Sequence, residues 1–170
     1  MEKRKNVHRA AIQGFVGIAG IGMAFLIAAI PSHGIDDLSL PIGRDSARIS
    51  TLYRVDAALD AYVSRYGKPP PHQPDSRFGG WETSLDGSFL KELVDKGLLV
   101  TLPLDPLNDD QFHFRYCVYP PGSWGDNKEP FFVLAATGLE KVGNLLADRN
   151  VYSRGGRTWS DEFPFTLGSP

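Results

Sequence analysis

Residues 10–30 limit this chain more than any other stretch: twenty-one consecutive residues carry no charge, and Gln13 is the only strongly polar one. As an α-helix the run reaches roughly 31 Å, which matches the hydrocarbon core of a bilayer. Lys3, Arg4, Lys5 and Arg9 precede it and Asp36 and Asp37 follow it. That asymmetry predicts a single-pass helix in the cytoplasmic membrane, with residues 1–9 as a basic head inside and the body of the chain outside the cytoplasm. A cleaved secretory signal is the rival reading. It is disfavoured because the apolar run exceeds a usual signal core and Pro31 spoils the small-residue site after Ala29, although Ser32-His33-Gly34 remains as a second site. Gly20, Ala24 and Ala28 fall four residues apart, so one face of the helix is small enough for a second helix to approach closely. Glycine and alanine are also common in membrane helices without a partner, which is the plainer reading.

Beyond that run the chain looks like one globular body. Hydrophobic residues make up 42% and charged residues 22% of the 170, enough to bury a core and too apolar for disorder. The fourteen basic and nineteen acidic side chains after residue 31 leave this body acidic, which argues against nucleic acid as a partner. Cys117 is the one cysteine, so no internal disulfide or CxxC motif exists and packing must hold the fold.

Residues 31–44, with two prolines, two glycines and an Asp pair, read as a linker. From there Ile49, Leu52, Val55, Leu59, Tyr62 and Tyr66 recur at steps of three and four, the signature of a helix with one apolar face. The pattern predicts a helix over 45–66, with Asp45 as N-cap and Gly67 before Pro69-Pro70-Pro71 as its end. Residues 67–84 form a loop pinned to the core by Trp81. A shorter helix follows, built on Phe89, Leu90, Leu93 and Val94 and closed by Gly97, and residues 98–102 run along the core. Phe112, Phe114, Tyr116 and Val118 alternate with more polar neighbours as in a half-buried strand, and residues 131–136 form a continuous apolar strand. The loop between them permits an antiparallel hairpin. Residues 139–149 suit a short helix. Residues 151–170 read as irregular, with Trp159, Phe163 and Phe165 folded back over the sheet. The expected class is therefore α+β: after the transmembrane helix, a domain over 45–170 with a long amphipathic helix on a small antiparallel sheet.

Chemistry is sparse. HExxH, GxSxG and GxxxxGK[ST] motifs are absent, so metalloprotease, hydrolase and phosphate-loop readings lose their warrant. Asp105, Asn108, Asp109 and Asp110 supply oxygens for a loose cation site, but their spacing is not that of an EF-hand, and a solvated turn is the plainer reading. His113 and Cys117 share a strand face but stand about 13 Å apart by strand rise, too far for proton transfer, which leaves the thiol as a packed side chain. Trp124, Trp159, Tyr119 and Tyr152 could stack a ligand, yet a domain of this size needs its aromatics first as core. No catalytic residue and no cofactor are expected.

Several of these pieces occur in a familiar order. An apolar N-terminal helix precedes Arg44-Asp45-Ser46-Ala47-Arg48-Ile49-Ser50-Thr51-Leu52, then Ala58-Leu59, Tyr62 and Tyr66-Gly67-Lys68-Pro69-Pro70. Leu102-Pro103-Leu104-Asp105-Pro106, Phe114-Arg115-Tyr116 and Phe132-Val133-Leu134-Ala135-Ala136 follow. Over residues 10–137 the chain resembles the type IV pilin-like proteins of bacteria, in particular the major pseudopilins of type II secretion. The resemblance implies a non-enzymatic, membrane-anchored structural subunit of a secretion or surface-filament apparatus, whose partners are the membrane and other pilin-like subunits, itself included, met through the N-terminal helix. The alternative is an anchored extracytoplasmic binding module that uses the same fold without polymerising. Two departures bear on that choice. Gln13-Gly14-Phe15-Val16-Gly17-Ile18-Ala19 places Ala19 where the family's processing motif has a glutamate, and Thr137-Gly138-Leu139-Glu140-Lys141-Val142-Gly143 offers one carboxylate where the family's calcium loop needs several oxygens.

Overall fold

A computed structural model describes residues 37–123, 125, 128–143, 152–154 and 157–168. The expected membrane helix over 10–30, with Gly20, Ala24 and Ala28, lies outside these residues, as do the basic head and Trp124. No helix among the described residues is long and apolar enough to cross a membrane.

The apolar stripe read from the sequence does fold as one helix, α1 (Pro41–Tyr66). Leu52, Val55, Ala58, Leu59 and Tyr62 are buried along it, while Ser50, Tyr53, Arg54, Ala57 and Asp60 face outward. Gly67 closes the helix at φ +75°, where its amide donates to the Val63 carbonyl, a conformation that side-chain-bearing residues rarely take. The other end corrects the expectation. The helix starts at Pro41 and so takes the last residues of the expected linker; Leu40 sits at the N-cap without a side-chain bond, and Asp45 lies within the helix. Proline suits this first turn because its ring presets φ and its missing N–H would have had no helical partner.

Four strands form the sheet: β1 (Glu82–Thr83), β2 (Phe114–Tyr119), β3 (Phe131–Ala136) and, after a separate two-stranded ribbon of β4 (Ser153–Arg154) and β5 (Arg157–Thr158), β6 (Phe165–Gly168). Their order is β1-β2-β3-β6, and every neighbour is antiparallel. The expected hairpin is present with Phe114 opposite Ala136 and Tyr119 opposite Phe131. β3 is buried at all six positions because both faces of the sheet are covered. Phe132, Leu134 and Ala136 meet α1 and the five-residue helix α2 (Lys91–Asp95). Phe131, Val133 and Ala135 meet Trp81, Trp159 and Phe163 on the other side. Alternation along a strand sends successive side chains to opposite layers, so the continuous apolar run is the trace of a central strand with two cores. Trp81 pins its loop to the second core, as expected, but the expected loop over 67–84 ends earlier, because Glu82 and Thr83 pair with β2 as β1.

The C-terminal stretch is more ordered than its sequence suggests. Residues 165–168 pair with β3 as an edge strand, where an irregular tail was expected. Trp159, Phe163 and Phe165 are buried in the two cores. Residues 139–142 are not helical, and 144–149 lie outside the described residues. Of the expected run along the core over 98–102, Leu99 is buried but Val100 is 95% exposed.

Candidate functional site

The helical period that buries Leu52, Val55, Leu59 and Tyr62 also passes through position 48, four residues before Leu52. It therefore carries a charge into the core: Arg48 is 0% exposed. All three nitrogens of its guanidinium donate. Nε and Nη2 donate to the two oxygens of Asp105 at 2.7 and 3.1 Å, and Nη1 donates to Asp45 at 2.8 Å and to Glu140 at 2.7 Å. Phe112 covers its face at 4.5 Å. Burial opposes the Arg48 charge, but the bonds from Asp105 and Glu140 outweigh it and raise the pKa above the ordinary arginine value.

Each carboxylate in this cluster ties a different segment to α1. Asp105 belongs to the Leu102–Pro106 turn and also accepts the amide of Leu107 at 2.9 Å, so the turn is shaped and docked by one side chain. Asp45 accepts the amides of Glu140, Lys141 and Val142 at 2.7–3.1 Å. The residue expected to cap its own helix instead gathers the amides of the loop after β3. Glu140 pairs with Arg44 through both oxygens, at 2.8 and 2.5 Å. The Arg44 hydrogen bonds, ahead of the opposing effect of burial, hold its carboxyl down to about 2. Gly138 is where this loop passes Phe112, and a Cβ there would come within 2.8 Å of the ring. Two arginines and three acids thus join α1, the Leu102–Pro106 turn and the post-β3 loop. Fork-to-carboxylate geometry makes such a joint rigid as well as strong.

The four residues singled out as cation candidates are divided among separate tasks. Asp105 serves Arg48. Asn108, at φ +48°, exchanges two bonds with Ser84 at 2.6 and 3.0 Å. Asp109 accepts the amides of Gln111 and Phe112 within its own turn, and Asp110 is exposed. Among the described residues no three His, Cys, Asp or Glu side chains gather so that they could hold a metal ion.

Cys117 has a neighbour that strand spacing could not reveal. His72, from the Pro-rich loop, places Nε2 3.8 Å from the thiol and accepts the Val118 amide on Nδ1 at 3.3 Å. Burial raises the thiol pKa and lowers that of His72, so both are neutral near pH 7 and the contact has no thiolate–imidazolium character. His113 lies apart, with Nδ1 at the Asp109 carbonyl and Nε2 accepting from Arg115. Tyr119, Trp159 and Trp81 pack on one another in the second core, and Tyr152 packs against the same cluster.

Two surfaces stand out. A groove of about 470 Å³ lies at the C-terminal end of α1, between Asp60, Ser64 and Lys68 on one side and Glu129, Pro130 and Arg154 on the other. Along α1 itself, Ser50, Tyr53, Ala57, Ala61 and Ser64 form an exposed row without charge. Four of its five side chains are serine or alanine, with Tyr53 as the large one. Comparison of the chain with family models, with curated proteins and with solved structures returns no match.

Proposed function

We propose that the chain is a membrane-anchored, pilin- or pseudopilin-like structural subunit of a secretion or surface-filament apparatus, held by residues 10–30 with its α+β domain outside the cytoplasm. One observation carries the reading. Arg48 and Asp105, 57 residues apart, form a buried two-bond pair between the two segments on which the resemblance is drawn, the stem helix and the Leu-Pro-x-Asp-Pro turn. A stem helix locked to its head domain transmits load without bending at the join, which is what a subunit held by its helix requires. The uncharged outer row of α1 supports the same reading, since it lets another surface approach the helix without burying a charge.

A non-polymerising anchored binding module is favoured by Ala19, which leaves an apolar helix without the carboxylate that would offset a neighbour's buried ammonium. The mixed-charge groove near Lys68 and Arg154 gives that alternative a place for a ligand. Single cysteines in place of Gly20, Ala24 or Ala28 separate the two readings by oxidative cross-linking in native membranes, with the unsubstituted chain as control for buried Cys117. A ladder of multimers is expected for the subunit. Monomer that stays with carbonate-washed membranes supports the binding module, and release into the wash refutes both.

A further inference from the structure

Three residues at the start of α1, two in the turn before it and one in its first turn, are large, apolar and in water. Leu38 is 52% exposed, Leu40 45% and Ile42 44%. Apolar side chains on a loose tail would carry no message, but this turn is built. The Leu40 amide donates to the Asp37 carbonyl at 2.9 Å, and the Ser39 amide donates to the Asp37 carboxylate at 2.8 Å. Arg44 Nη1 donates to the carbonyls of both Leu38 and Ser39 at 3.0 Å, and Arg44 is itself clamped by Glu140. The charged joint described above thus reaches forward to hold this turn in place, and the turn holds its leucines out to solvent. Ordering them in advance removes the entropy that would otherwise oppose their burial against another phase.

The chain indicates which phase that is. Leu38 follows Ile30, the last residue of the uncharged run, by eight residues, so even fully extended the connection spans at most about 28 Å. With residues 10–30 in a bilayer, the turn is confined within that distance of the lipid surface. Contact then becomes an intramolecular event at high effective concentration. Asp37 opens the turn and Asp36 precedes it in the chain; two adjacent acids disfavour anionic headgroups, which points to insertion of apolar side chains rather than charge attraction.

We infer that Leu38, Leu40 and Ile42 form a membrane-contacting foot, a rigid apolar turn that seats the domain in the headgroup–acyl boundary of the bilayer that its own N-terminal segment enters. This rests on the anchored reading above. The test uses the full chain reconstituted in phosphatidylcholine vesicles that carry a nitroxide-labelled lipid near the headgroup. Leu40→Cys and, as a control on an exposed loop, Val100→Cys are labelled briefly with an environment-sensitive dye, conditions under which buried Cys117 stays unlabelled. The dye at position 40 is expected to shift to the blue and to be quenched at least ~2-fold more than the dye at position 100. Equal quenching at both positions in vesicles that co-float with the protein overturns the foot and leaves the anchor standing. Failure of the unsubstituted chain to co-float after a carbonate wash overturns the anchor, and the foot with it. An unquenched position 40 that cross-links copy to copy overturns the foot in favour of a contact between subunits.

Discussion

Replacing Arg48 with alanine tests the joint between helix and turn directly. The substitution removes four hydrogen bonds and the cover over Phe112, but the partners it abandons differ in what they keep. Asp45 still accepts three loop amides, and Glu140 still has Arg44. Asp105, 4% exposed, retains the Leu107 amide at 2.9 Å and an Asn108 amide at 3.4 Å. Two buried carboxylates, Asp45 and Asp105, therefore lose their ion-pair partner and keep only backbone amides, and breaking a buried pair from one side costs about 3–5 kcal/mol. Arg48→Lys should recover only part of the loss, because an ammonium cannot bridge three carboxylates as a planar fork does. Arg48→Met combined with Asp105→Leu should recover more than Arg48→Lys, since it leaves no orphan charge at position 105. Denaturant unfolding of the full chain, followed by the near-ultraviolet signal of the buried tryptophans, gives the three values. An Arg48→Ala loss below about 1 kcal/mol would refute the argument, as would a double variant no better than the single one.

Other outcomes follow from the same geometry. Glu140, held down to about 2 by the hydrogen bonds of Arg44 and then Arg48, contributes stability that is complete above about pH 4.5 and is lost as pH falls toward 2; acid titration should show this slope in the unsubstituted chain and a much smaller one in Glu140→Gln. Asp56 has the opposite sign, since burial and then the Asp60 charge push its carboxyl up to about 6. Its contribution declines as pH rises from about 4 through 6, so Asp56→Asn should stabilise by about 1–2 kcal/mol at pH 7.5 and by little at pH 4. Leu59→Ala, at a fully buried position between α1 and the sheet, should cost about 2–5 kcal/mol, whereas exposed Asp60→Ala should cost nothing measurable; equal losses in the same unfolding assay would mean the faces of α1 are misassigned. Cys117, buried and with its thiol pKa raised, should alkylate at least ~100-fold more slowly in the folded chain than in denaturant, and fast native labelling would place it at the surface.

Much of the architecture was legible in residue order because it depends on local period. The recurrence of Leu52, Val55, Leu59 and Tyr62 specifies a helix and its buried face, and Gly67 before three prolines can only end it. The alternation from Phe114 to Val118 and the unbroken run from Phe131 to Ala136 specify two strands. These patterns can be read along the chain because a helix or strand places neighbours in sequence on known faces. Where the charges end up depends on tertiary packing. An arginine four residues before Leu52 has the same local pattern whether it meets solvent or three carboxylates, and only the approach of the Leu102–Pro106 turn and the loop around Glu140 turns it inward. The start of α1 moved for a related reason: Asp45 would make a good cap, but the amides of residues 140–142 compete for its oxygens and a proline begins the helix upstream. β6 is four residues long, too short for a periodic signal, and exists because β3 presents an edge to pair with. The contact of His72 with Cys117 joins residues 45 apart, and the exposure of Leu38, Leu40 and Ile42 depends on a turn held by Arg44. Local sequence carries conformational preference, whereas burial, ion pairing and exposure arise between segments that meet only after the chain has folded.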